Sequence, residues 1–121
     1  MEQNLVRLKV TTTLGDIDGD GDYDEIYNYG ARSFAIWTGD GAMVYDSGND
    51  IAMKTKMYTP DAFNGGDGRS DDKGAEPEAI EILRIAANKF ILFVGLERNN
   101  QVMVYDISNP YSPKFLDILS N

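Results

Sequence analysis

A chain of 121 residues holds at most one ordinary domain with a modest core, and a hydrophobic content of 42% makes it globular. A net charge of −9 argues against nucleic acid or an anionic membrane as partner, since either needs a basic face. Histidine and cysteine are both absent, which removes imidazole and thiolate as bases, nucleophiles and zinc ligands, and disulfides with them. No apolar run approaches the roughly 20 residues of a membrane span, and nothing near Met1 has the form of a signal peptide.

Residues 5–14 alternate apolar and polar over Val6 to Val10 and then run through three β-branched threonines, which predicts a strand. The stretch that follows, Asp16-Ile-Asp18-Gly-Asp20-Gly-Asp22-Tyr-Asp24-Glu25, carries six carboxylates and no basic residue. Unit charges 4 to 5 Å apart repel by roughly 3 to 4 kcal/mol at an effective dielectric near 20, so such a loop is costly without a counter-ion. Its spacing points to Ca2+. Calcium loops offer side chains at positions one, three and five, a backbone carbonyl at seven and often an acid at nine, and Asp16, Asp18, Asp20, Asp22 and Asp24 fall there in order. Gly21 occupies position six, where the chain must turn sharply. Position twelve is Tyr27 in place of the bidentate Glu of an EF-hand, and Glu25 comes two residues too early to replace it.

Residues 26–29 and 33–37 read as strands, so the acidic loop joins strands and not helices. In this it resembles the Asp-x-Asp-x-Asp-Gly-x-x-Asp loops of integrin-type and FG-GAP propeller repeats. The turn Gly39-Asp-Gly41 between apolar segments predicts a hairpin into a strand over 42–46, with Trp37 at the end of its first arm expected in the core. Residues 59–78 are rich in glycine and polar residues and lack periodicity, which predicts a long loop. Its acids Asp61, Asp67, Asp71 and Asp72 are candidates for a second, weaker cation site, although a solvated loop explains them as well. Gly65-Gly-Asp-Gly68 is no phosphate loop, because no Lys-Ser/Thr follows. Four further strands are expected over 79–85, 89–95, 102–107 and 114–119, punctuated by Asn-containing turns.

The expected fold class is all-β, in about two antiparallel four-stranded units of propeller-blade type: 5–48 with the calcium loop at 16–24, and 79–119. Residues 27–30 followed by 34–37 share a layout with 92–95 followed by 102–105, which supports repetition. A β-sandwich of about eight strands has nearly the same signature and is the alternative. Two blades alone leave apolar faces exposed, so the runs at 90–94 and 102–107 are expected to need cover, by self-association or by further blades.

Gly15 to Glu25, Gly30-Ala-Arg-Ser-Phe34, Arg69-Ser-Asp-Asp-Lys-Gly74 with Glu76-Pro-Glu78, Gly95-Leu-Glu-Arg98 and Val104-Tyr-Asp-Ile107 together resemble the choice-of-anchor I propeller family. Those are secreted bacterial proteins often described as alkaline-phosphatase-like, and their propeller is several times longer than this chain. The resemblance implies an extracellular or cell-surface setting, and the Ca2+ expected from the acidic loop is read as structural, pinning the strand-to-strand turn at 16–24. It also raises a phosphatase-like reading in which Arg32, Glu78, Glu97 and Arg98 are the weak catalytic candidates. Arginines clamp phosphate esters and a carboxylate with an ion can activate water. The plainer reading pairs Glu97 with Arg98 beside a turn and lets Glu76-Pro-Glu78 start a strand. A third reading has an extracellular ligand or adhesion partner bound by the 59–78 loop. Tyr58, Phe63, Trp37 and Tyr111 also invite a sugar-stacking role.

Overall fold

The computed structural model describes residues 8–121. Its organising element is an antiparallel meander of four strands: β3 (Pro77–Ala86), β4 (Lys89–Leu96), β5 (Gln101–Asp106) and β6 (Lys114–Ser120), paired in sequence order. These match the four strands expected from the second half of the chain, and β3 does begin within Glu76-Pro-Glu78. β-Branched and aromatic residues dominate the central strands, which fits a surface buried on at least one side. On β5 burial alternates residue by residue, so Gln101, Met103 and Tyr105 point into the protein while Val102, Val104 and Asp106 point away.

Two smaller elements cover the inward face. A hairpin of β1 (Ala35–Trp37) and β2 (Met43–Asp46) turns through Gly39-Asp-Gly41, with Thr38 N–H donating to Ala42 O at 2.8 Å. The helix α1 (Asp50–Tyr58) follows, with Asp50 in its first turn and Lys56 in its last, both favourable to the helix dipole. The strand-and-loop reading of the sequence has no counterpart for α1. Its buried residues, Ile51 and Thr55, sit one turn apart and form a narrow inward stripe. Phe34, Ile51, Ala75, Leu92, Val94, Leu96, Met103 and Tyr105 make the core.

The first half of the chain departs from a four-stranded unit. Residues 5–7 of the first expected strand lie outside the described residues. Of 8–14 and 26–29, only Val10 and Asn28 pair, as an isolated antiparallel bridge. Between these segments the aspartate carboxylates accept from the N–H groups of Ile17, Gly19, Asp20, Gly21 and Asp22, so the loop is held by its own side chains. The 27–37 and 92–105 segments are therefore not structural repeats: Gly30 lies outside any strand, whereas Gly95 lies within β4. Trp37 is 58% exposed and not core, because it alternates with Ile36, which packs on the core, and so faces the other side of β1. Among the described residues the architecture is a two-stranded and a four-stranded antiparallel sheet with one helix. It is mainly β, and neither sheet closes into a barrel.

Burial separates two substitutions sharply. Met103→Ala, at a fully buried position, should cost about 2–5 kcal/mol in urea unfolding, whereas Trp37→Ala should stay within about 0.5 kcal/mol of the parent. Equal losses from the two would contradict this assignment of the core.

Candidate functional site

The acidic loop folds back on itself through its own carboxylates. Asp16 accepts from Gly19 N–H at 2.7 Å and Gly21 N–H at 3.2 Å, and Asp18 and Asp20 each accept from the N–H two residues on. Asp24 reaches back to Ile17 N–H at 3.0 Å. The base closes where Glu25 N–H donates to Gly15 O at 3.1 Å. Gly15 sits at φ +106°, and a Cβ there would lie 2.2 Å from Glu25 O, so no other residue fits without moving the closure. Gly21, the expected turn position, has φ +98°.

This arrangement brings three of the five predicted ligands together. Asp16, Asp18 and Asp24 have carboxylate oxygens within 4.8 Å of one another. Oxygens sharing one calcium at 2.3–2.6 Å can lie up to about 5 Å apart, so the trio is spaced to hold such an ion. Asp20 stands outside the trio with its carboxylate on Asp22 N–H, and Asp22 was expected to contribute only its carbonyl. All five are exposed.

The stem of this loop is fastened to the 59–78 segment. Lys9 N–H donates to Asp71 O at 2.9 Å, and its ammonium pairs with Asp72 at 3.2 Å. Gly30 packs so tightly on the backbone of Lys73 that a Cβ would come within 2.2 Å of its carbonyl oxygen. The 59–78 segment itself is a succession of turns after a short 3-10 turn at Pro60–Ala62. Its acids have local duties: Asp72 also meets Arg69 at 3.7 Å, and Asp67 accepts from the Ser70 hydroxyl. Asp61, Asp67, Asp71 and Asp72 do not form a metal-spaced group among the described residues.

A second carboxylate group is assembled from Glu76, Glu78 and Glu97, again within 4.8 Å. Three of the four weak catalytic candidates, Glu78, Glu97 and Arg98, meet here. Arg32 does not join them and lines a separate cavity of about 230 Å³ beside Lys73 and Asn64. Glu76 is 3% exposed, with Arg98 Nε at 2.6 Å from one oxygen and Lys73 Nζ at 3.1 Å from the other. Burial pushes its carboxyl up, but the hydrogen bonds and charges of Lys73 and Arg98 outweigh burial and hold it below the usual range. Glu78 goes the other way, raised chiefly by its hydrogen bond to Glu97 and by that neighbour's charge. Arg98 also meets Glu97 at 3.2 Å, the ion pair expected beside the turn. Its guanidinium is thus engaged by two carboxylates. The sequence singled out these residues one by one, but only the antiparallel register of β3 and β4 joins them, since it sets Pro77 opposite Leu96.

The aromatic residues proposed for sugar stacking do not form one platform. Tyr58 stacks on Phe115 with ring centroids 5.4 Å apart, Lys56 lies over Phe63, and Tyr111 is 72% exposed.

The class is a mainly β domain with an acidic loop set between two segments joined at the Val10–Asn28 bridge. Within that class, the model of the choice-of-anchor I domain matches residues 1–110, and the chain belongs to that family. Membership suggests a domain of a secreted or cell-surface bacterial protein. No curated protein and no solved structure matches the chain. No helix among the described residues is long and apolar enough to cross a membrane.

Two titrations follow with opposite signs. Glu76 is depressed in the folded state, so the stability it brings is present above the ordinary Glu value of 4.5 and is lost as pH falls through its folded value. Glu76→Gln should therefore lower the melting temperature at pH 7 and flatten its decline below pH 4.5. Glu78 is raised, so its ionisation next to Glu97 opposes folding as pH rises. Glu97→Gln should raise the melting temperature slightly at pH 7, leave it unchanged at about pH 3.5, and move the Glu78 titration downward in NMR.

Proposed function

We propose that this chain is a calcium-binding structural module of a secreted or cell-surface protein, built on blade-type β-sheet and packed in use against a further blade-like unit. The observation that carries the reading is the Asp16, Asp18 and Asp24 group, whose oxygens are pre-gathered around one point by backbone N–H groups. Asp16, Asp18 and Asp24 would hold the ion, with Asp20 and the Asp22 carbonyl completing the set by small movements of an exposed loop. The ion would supply positive charge that offsets their mutual repulsion. What this chain's own residues do is fasten the loop: Gly15 and Glu25 close it, Thr11 N–H donates to Tyr27 O at 3.0 Å, and Lys9 carries the stem onto Asp71 and Asp72. Calcium bound there would stiffen the stem and, through it, the 69–74 turn.

A hydrolytic reading has weaker support. Phosphate would meet the Glu78 and Glu97 carboxylates, and Arg98 is already committed to Glu76 and Glu97. Binding at the 59–78 loop is supported only by the loop's length and exposure.

Ligand that binds the native state raises stability by mass action. Extracellular calcium modules have dissociation constants of about 10⁻⁴–10⁻³ M, so 10 mM Ca2+ should stabilise the protein by roughly 1.4–2.7 kcal/mol over a chelator control. Calorimetric titration should show one site, weakened at least tenfold in Asp16→Asn. Identical melts in calcium and chelator, with no heat of binding, would refute the proposal.

A further inference from the structure

The backbone of Glu76 is held in a conformation its sequence disfavours. Its φ is +48°, in the left-handed region, and it precedes Pro77, whose ring favours extended backbone in the residue before it. Among the described residues the other non-glycine positions with positive φ are Asn64, Asp67 and Asn100, residue types that tolerate it. Such strain persists only where the surroundings over-determine it. Ion pairs and backbone hydrogen bonds both do so here. Lys73 and Arg98 clasp the two carboxylate oxygens at 3.1 and 2.6 Å, Glu97 N–H donates to Glu76 O at 3.0 Å, and Arg98 N–H donates to Ala75 O at 3.2 Å.

One half of this clasp is placed by the stem of the acidic loop. Both arms of the stem press on the turn that carries Lys73. From one arm, Lys9 holds Asp71 O and the Asp72 carboxylate. From the other, Gly30 lies against the Lys73 backbone, where an added Cβ would sit 2.2 Å from its carbonyl oxygen and 2.8 Å from its Cα. The Val10–Asn28 bridge and the hydrogen bond from Thr11 N–H to Tyr27 O keep the arms together, and Gly15 and Glu25 close the base of the loop. Like charges in that loop push it open unless a cation offsets them. A stem that splays withdraws Lys9 and Gly30 from the turn, and Lys73 then loses the support that sets its ammonium on Glu76.

We propose that Glu76 is a strained latch coupled to the acidic loop, so that calcium in the loop keeps the start of β3 fastened to the turn after β4. With the ion bound, the stem holds Lys73, and Lys73 and Arg98 together hold Glu76 left-handed. Without it the latch opens more often, and Glu76 relaxes toward the extended backbone favoured before proline. The latch rests on the calcium reading above and adds a regulated element to it, since the ion controls order at Glu76, Glu97 and Arg98, none of which is among its expected ligands. Such coupling is reciprocal: closing the latch must raise calcium affinity by the same factor by which calcium favours closing.

The test combines amide hydrogen exchange by NMR with calorimetric calcium titration of the whole chain. Calcium at 10 mM should slow exchange of Glu97 and Arg98 N–H at least about fivefold relative to chelator. Ser112 N–H, which closes a separate turn on Asn109 O, should not change. In Lys9→Met, altered at an exposed position, the slowing should fall below about twofold and calcium should bind at least about threefold more weakly. Lys73→Met should do the same; should it fail to fold, Lys9→Met carries the test alone. The sign is decisive, because charge alone predicts that removing a lysine strengthens the binding of a cation. Calcium bound as tightly as in the parent, or tighter, would overturn the latch and leave the calcium module standing. Unchanged exchange at Glu97 and Arg98, or equal slowing of every amide including Ser112, would overturn it as well. No heat of calcium binding in the parent would overturn both.

Discussion

The phenol of Tyr105 ties the parts of this protein together. Tyr105 is 1% exposed, and its hydroxyl donates to Asp50 at 2.9 Å, which joins the centre of the large sheet to the first turn of α1. Its ring meets Phe34 at 5.0 Å and Phe115 at 5.7 Å, both edge-on, so the approach to the β1–β2 hairpin and the edge strand β6 lean on the same residue. Burial, then the Asp50 hydrogen bond and charge, push the phenol well above its ordinary range, so it stays a donor at any physiological pH. A buried hydroxyl without that acceptor would carry a desolvation cost, and α1 would lose its polar tie to the centre of the sheet.

The acidic loop and its stem are held by backbone contacts and charges. The acidic loop has no apolar residue of its own in the core, so its shape comes from carboxylates taking N–H groups and from one glycine that allows the base to close. The same economy holds at Gly30 and Lys73, where two backbones touch. Such contacts order a loop without burying much surface, which leaves the acids exposed to solvent.

The two carboxylate groups behave differently because their surroundings differ. Glu76 is buried and doubly paired, so it acts as a structural anchor between the 59–78 segment and the turn after β4. Glu78 and Glu97 are exposed and crowded, without a full set of counter-charges, at the edge of an apolar hollow. With α1 and the hairpin on the inward face, the outward face keeps half-buried Phe93, Val102 and Val104.

Local pattern determined much of this protein. The four strands of the second half, the Gly39-Asp-Gly41 hairpin, the turn-rich 59–78 segment and the acidic loop with its glycine at position 21 all follow from residue type and spacing, because each depends on neighbours within a few positions. Tertiary structure alone decided the rest. Residues 8–14 and 26–29 have strand-like composition but pair at a single bridge, and Lys9 bonds instead to the 59–78 segment, a contact no local pattern announces. The α1 segment carries too narrow an apolar stripe to announce a helix, and packing of Ile51 and Thr55 makes it one. Trp37 looks like core until β1 turns its neighbour Ile36 inward and so sets Trp37 on the open side. Glu76, Glu78 and Glu97 become one group only through the register of β3 on β4, and register is set by the whole sheet, not by any stretch of residues read singly.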